Sequence, residues 1–142
     1  MSPVMKRVIV VARVLVVVTF AAVTALSLMP GMPAGPEGSD KVRHFLAYAV
    51  LSGLAVFSIR YPRRLVHRAI VVIVSASAYG VMMEFAQRFV GRNFDVRDMV
   101  ANAAGAIAGG ILGAFLRWGV SALLARRAGR DMLDETEEQR TQ

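Results

Sequence analysis

Apolar residues fall along the chain in four long runs separated by short polar stretches. The first, Val8 to Met29, is 22 residues broken only by Arg13. The second, Phe45 to Ile59, has 15 residues without charge; the third, Ala69 to Met83, has another 15, with apolar character continuing to Val90. The fourth, Met99 to Leu116, has 18 without charge. A helix needs about 20 largely apolar residues to cross hydrocarbon, with a range of about 17–25. The second and third runs reach that length when their polar ends lie in the interface, with Arg43 and Arg88 snorkelling outward. None shows the polar stripe of a surface helix in a soluble bundle. The pattern predicts an all-α transmembrane four-helix bundle, with helices over 8–29 and about 42–59, 69–88 and 99–118.

Composition agrees. The chain has 142 residues, one domain at most. Apolar residues make up 56% and charged residues 19%, against about 45–50% and about 25% in soluble domains. With no cysteine, disulfides, thiolate metal sites and cysteine nucleophiles are excluded. The net charge is +7, from 15 Arg and 2 Lys against 10 acids. In a soluble protein that balance would suggest nucleic acid. Here the cations cluster at the ends of apolar runs, so the expected partners are membrane lipids and not nucleic acid.

The loops orient the chain. Lys6, Arg7, Arg13, the arginines at 60, 63, 64 and 68, and those at 117, 126, 127 and 130 lie on one side; Lys41, Arg43, Arg88, Arg92 and Arg97 lie on the other. Eleven against five places both termini in the cytoplasm of a multi-pass inner-membrane protein. Residues 1–7 are then a cytoplasmic N-terminus and 119–142 a basic, then acidic, cytoplasmic tail, expected to be solvated and disordered from Asp131. The first run is too long for a signal-peptide core and is interrupted by Arg13, so it reads as a retained helix. The first outer loop, with Pro30, Pro33 and Pro36 among glycines, is expected to be non-helical.

Polar residues gather at one level. Asp40, Lys41 and His44 stand at the outer start of the second helix, with Ser39 a suitable N-cap. Glu84, Gln87 and Arg88 share a face at the outer end of the third. Arg92, Asp95 and Asp98 occupy the next loop, and Asn102 lies one turn beyond Asp98. Polar groups near hydrocarbon are costly, and carboxylates gathered with histidine and arginines point to a site. Each also has a structural use: His44 as an interfacial residue bonded to Asp40, Asp98 and Asn102 as caps of the fourth helix. Glu84 needs a partner, for which Arg88, Arg92 and Lys41 are in range, and Glu84 with Arg92 is the expected pair. The helix-four stripe of Ala101, Gly105, Gly109 and Gly113 suits close helix packing, either against the third helix, whose Ala76 and Gly80 lead towards Glu84, or in a homo-oligomer.

The run Asp40-Lys41-Val42-Arg43-His44-Phe45 resembles the D-K-x-x-H-F opening of VanZ-like membrane proteins. The stretch from Glu84 to Gly105 is similar to that family's E-x-x-Q, then G-R, then D-x-x-D-x-x-x-N-x-x-G, carried here by Glu84, Gln87, Gly91, Arg92, Asp95, Asp98, Asn102 and Gly105. The family pattern has Pro before Gly-Arg, where this chain has Val90. The resemblance covers roughly residues 40 to 113 and implies a VanZ-like domain with three spans over 30–118, in a family named for a protein linked to teicoplanin resistance.

These observations lead to an outward-facing site for an anionic lipid or lipid-linked phosphate. Arg92 and Lys41, with Gln87, Asp95 and Asn102, would bind the head group. Glu84, His44, Asp98 and Asp40 would act as acid, base or metal ligands. Carboxylate-rich ligands favour a divalent metal such as Mg²⁺, Mn²⁺ or Ca²⁺. The alternative is a non-catalytic scaffold whose polar cluster locks the bundle. A transporter is disfavoured, because no broken helix places charge at midplane.

Overall fold

The computed structural model describes residues 3–30, 39–60, 64–92 and 94–141. Among these the chain is all-helical: α1 spans Pro3–Ser27, α2 Ser39–Phe57, α3 Leu65–Phe89 and α4 Val96–Thr141. The segment 31–38, on which the first-loop expectation falls, and Arg63 lie outside the described residues.

Length and composition allow α1, α3 and the Val96–Arg127 part of α4 to cross a membrane. Their surfaces suit lipid: Val10, Val11, Val14, Val17 and Val18 of α1 are all exposed. The shorter α2 carries Asp40, Lys41 and Arg43 near its start and is less apolar. Its 19 residues still extend about 28 Å, close to the roughly 30 Å of hydrocarbon. Moreover, both of its ends meet the ends of the other helices. At one end His44 contacts Asn102 of α4 and Glu84 of α3. At the other, the carbonyl of Ile59, just beyond α2, accepts from Arg117 of α4. The helices therefore run side by side between two polar ends: a carboxylate-rich rim and an arginine end.

Glycine sets the closest contact. A Cβ on Gly105, Gly109 or Gly113 would fall inside contact distance of the backbone carbonyls of Phe45, Ala49 and Gly53, respectively. These pairings advance together along both helices, so α2 and α4 run parallel. Between apolar helices in lipid there is no water to expel. Close backbone packing through small residues supplies the attraction instead. The stripe thus faces α2 of the same chain, not α3 as the sequence suggests. The α3–α4 contact uses Gly110, packed on Ile73, and Gly80, packed on Asn102. Mostly small and medium side chains fill the rest, around the larger Tyr48: Val23, Tyr48, Ala76 and Ala106 in one cluster, Val56, Ile59 and Ala69 in another. α1 is peripheral, pinned by Thr24 Oγ1 at 2.6 Å from the Tyr79 hydroxyl.

Arg117, read from the sequence as a loop cation, is buried at the arginine end. It donates to the Ile59 carbonyl at 3.2 Å, to Ser121 Oγ at 2.8 Å and to Met5 Sδ at 3.0 Å. It caps the end of α2 and ties α1 to α4. The tail also differs from expectation: α4 continues to Thr141. The segment after Leu116 is rich in Ala, Leu, Arg, Glu and Gln, which hold helix well, and no proline stops it.

Two outcomes follow. Gly109→Leu is expected to destabilise the detergent-solubilised protein by about 1–3 kcal/mol or more, since the added side chain must displace a backbone. Gly119→Leu, where a Cβ meets nothing within 4 Å, leaves the melting temperature nearly unchanged. Reporter fusions at residues 36 and 94 should share one side of the membrane and those at 65 and 135 the other, with the charge bias placing 36 and 94 outside. A cytoplasmic report at 94 overturns the orientation.

Candidate functional site

The rim is built where the starts of α2 and α4 meet the ends of α1 and α3. α3 ends in a Schellman turn: the Arg92 N–H reaches back to the Gln87 carbonyl at 3.0 Å, and Gly91 adopts a φ of 77°. That left-handed conformation suits glycine, which makes the turn without the family's proline and brings Arg92 back over the rim. α4 opens on Asp95, whose Oδ1 accepts the Arg97 N–H at 2.8 Å. Asp95 is therefore the cap that the sequence assigned to Asp98 and Asn102, and α4 starts at Val96 rather than 99. The Arg97 N–H, and after it Lys41, hold the Asp95 carboxyl below its ordinary range.

His44 is the hub. Its Nδ1 lies 3.0 Å from Asn102 Oδ1. An amide oxygen only accepts, so Nδ1 donates in this contact, and a ring with one proton then has its lone pair on Nε2. Nε2 faces Asp98 Oδ2 at 3.8 Å and Asp40 Oδ2 at 3.9 Å. Nδ1 also lies 3.6 Å from Glu84 Oε1. Gly80 leaves the room that Asn102 fills between α3 and α4.

The expected residues are brought together, but with different pairings. Glu84, fully buried, has the His44 imidazole 3.6 Å away as its neighbour among the described residues, and not the side chain of Arg92, Arg88 or Lys41. Arg92 instead reaches α1 and α2, donating to the Ser27 carbonyl at 3.2 Å and lying 4.0 Å from Asp40 Oδ2. Its guanidinium follows the direction set by the turn, across the bundle mouth rather than down onto Glu84. Lys41 bridges Asp95 at 3.5 Å and Asp98 at 3.9 Å. Arg88 turns away and stacks over Phe94, 5.8 Å from the ring centre. Gln87 is buried just above Glu84.

Two residues escaped the sequence reading. Arg43, taken only as an interfacial cation, binds Asp40 Oδ1 at 3.0 Å. Tyr48 is buried one turn beyond His44, its hydroxyl without a hydrogen-bond partner. Its spacing of four from His44, as His44 from Asp40, was the available signal. A pocket of about 310 Å³ opens beside these groups between α1 and α2. Its walls are Val23, Leu26, Leu46, Ala47 and Tyr48; its mouth carries Arg43, Arg92, Asp40 and His44.

Several buried polar atoms here have no hydrogen-bond partner among the described residues: both Glu84 oxygens, Gln87 Nε2, Asp98 Oδ1, Asn102 Nδ2 and the Tyr48 hydroxyl. Buried polar groups are ordinarily satisfied, so the cluster has unused capacity for a ligand, an ion or water. No curated protein and no solved structure matches the chain. A family model described as VanZ/LLP1 matches residues 6–117, and with these membrane-spanning helices the chain belongs to the VanZ/LLP1 family.

Proposed function

We propose that the rim is an extracytoplasmic site in the inner membrane that holds an anionic envelope lipid or lipid-linked phosphate. The observation that carries this reading is the pocket between α1 and α2. Its wall of Val23, Leu26, Leu46 and Ala47 suits a hydrocarbon tail, and its mouth holds two guanidinium groups, Arg43 and Arg92. Such a pocket matches a ligand with an apolar chain and an anionic head. Arg92 offers a planar fork to phosphate oxygens, and Lys41, Gln87, Asp95 and Asn102 are the further polar groups of the rim proposed to take part in binding. Glu84 and His44, with Asp98 and Asp40, are the groups able to move a proton beside the bound head group, so processing as well as binding is open to this site.

The unsatisfied atoms favour a site over a scaffold. A polar cluster kept only to lock helices together is expected to satisfy its own members, because a half-satisfied network is worse than an apolar core. The buried Glu84 costs several kcal/mol to retain unless its charge is matched. Retention of such a lipid would act on the envelope, which connects the reading to glycopeptide susceptibility.

Native mass spectrometry of the detergent-purified protein offered phosphatidylglycerol or a polyprenyl phosphate is expected to show retained lipid. Arg92→Lys should lower retention about tenfold while melting is unchanged, since a point charge cannot replace a bidentate fork. Equal retention of phosphatidylcholine, or no loss in Arg92→Lys, sinks the reading. Glu84→Gln, expressed in a host lacking its own homologue, should stay abundant and folded yet lose any effect on glycopeptide susceptibility. If instead both variants are folded and behave as wild type, the scaffold reading stands.

A further inference from the structure

We propose that Asp40, His44 and Asp98 form a binding site for one divalent cation of intermediate softness, Mn²⁺ or Zn²⁺, at the rim. One ligand atom from each of the three side chains falls within 4.8 Å of the others. The atoms that converge are Asp40 Oδ2, His44 Nε2 and Asp98 Oδ2. In the neutral ring the Nδ1–H bond to Asn102 leaves the lone pair on Nε2, so that three electron-pair donors face one point. Their separations of 3.8 and 3.9 Å from Nε2 are too long for hydrogen bonds. They suit neighbours around one ion bound at about 2.0–2.4 Å.

The surroundings are arranged for the same purpose. The other oxygen of each aspartate faces a local cation: Asp40 Oδ1 accepts from Arg43 at 3.0 Å, and Asp98 Oδ1 lies 3.9 Å from the Lys41 ammonium, beyond hydrogen-bond distance. The Oδ2 atoms are thereby turned inward. Among the described residues, Arg92, at 4.0 Å from Asp40 Oδ2, is the side-chain cation within 4.0 Å of a ligand oxygen, apart from the histidine itself. Asn102 does for His44 what an outer partner does for a metal-bound histidine: it fixes the tautomer and the ring plane.

An independent observation points to missing positive charge at this place. Glu84 is fully buried, neither of its oxygens has a hydrogen-bond partner, and it is aimed at the same imidazole, 3.6 Å from Nδ1. Lys41, Arg43 and Arg92 stand nearer the aspartates than Glu84. A dication on Nε2 would polarise the ring and strengthen its attraction for Glu84 on the far side. One imidazole with two carboxylates favours Mn²⁺ or Zn²⁺ over Mg²⁺ and Ca²⁺, which prefer all-oxygen shells. Three protein ligands leave coordination positions open towards Arg92 and the pocket mouth. What the ion does there, meeting an anionic head group, rests on the lipid reading above; its binding does not.

The test uses the full chain in detergent, stripped with a chelator and titrated with Mn²⁺ or Zn²⁺ without added lipid. One ion per chain is expected by elemental analysis. Bound Mn²⁺ should show nitrogen modulation in spin-echo EPR. Asp40→Asn, a half-exposed residue whose loss the fold tolerates, should weaken binding at least tenfold with the metal-free melting temperature unchanged, and His44→Gln should abolish the nitrogen signal. If His44→Gln fails to fold, Asp40→Asn with the wild-type nitrogen signal decides. Binding well below one equivalent, an unchanged affinity in Asp40→Asn, or wild-type Mn²⁺ without nitrogen modulation overturns the site. Because lipid retention is read separately by Arg92→Lys, loss of one result leaves the other legible.

Discussion

The close approach of α2 and α4 is the constraint from which the rest of the arrangement follows. Gly105, Gly109 and Gly113 let the α4 backbone rest on the carbonyls of Phe45, Ala49 and Gly53. Contact at that distance admits one register, because a slip of one residue would drive a side chain into a carbonyl. The register then sets the chemistry at both ends. One turn before Gly105, Asn102 meets His44. One turn after Gly113, Arg117 meets the Ile59 carbonyl. The glycines bind nothing themselves, yet they decide which side chains face each other at the rim.

The two ends treat buried polar groups differently, within one molecule and one set of packing rules. At the arginine end, Arg117 spends its donors on a carbonyl, a hydroxyl and a thioether, and none of its nitrogens is left buried without a partner. That is how a structural polar group is ordinarily accommodated. At the rim, Glu84, Gln87, Asp98 and Asn102 each keep a buried atom unpaired. Both ends belong to the same chain under the same constraint to fold, and this contrast is what the proposed site at the rim rests on.

Much of this was legible in the sequence because it depends on local pattern. Four apolar runs define four helices, and the D-K-x-x-H-F and D-x-x-D-x-x-x-N spacings place their polar groups on shared faces at one level. Pairings across helices were less legible. The small-residue stripe shows that something approaches α4 closely, but the choice between α2 and α3 depends on crossing geometry that no local spacing encodes. The same gap explains Glu84. Its need for a partner is a sequence-level inference from burial; that its neighbour is His44, and not Arg92, depends on how α3 packs against α2. The helical end beyond Asp131 is hidden for a simpler reason: its dense acids read as a mark of disorder, although the Glu, Gln and Arg there hold helix well.

The position of His44 gives the rim its asymmetry. Its two nitrogens face different worlds: Nδ1 points to Asn102 and Glu84, inside the bundle, and Nε2 points to Asp40 and Asp98, nearer the mouth. A positive charge arriving on the Nε2 side, whether a proton or an ion, is felt by Glu84 through one conjugated ring. Glu84 in turn lies among the unpaired Tyr48 and Asn102 groups, deeper than any charge of the mouth. On the proposed reading, a charge bound at the pocket mouth would act through this ring on a carboxylate that does not line the pocket. Because Asn102 fixes the ring and Gly80 fixes Asn102, that coupling is held by the packing of α3 on α4. It needs no movement of the helices to operate.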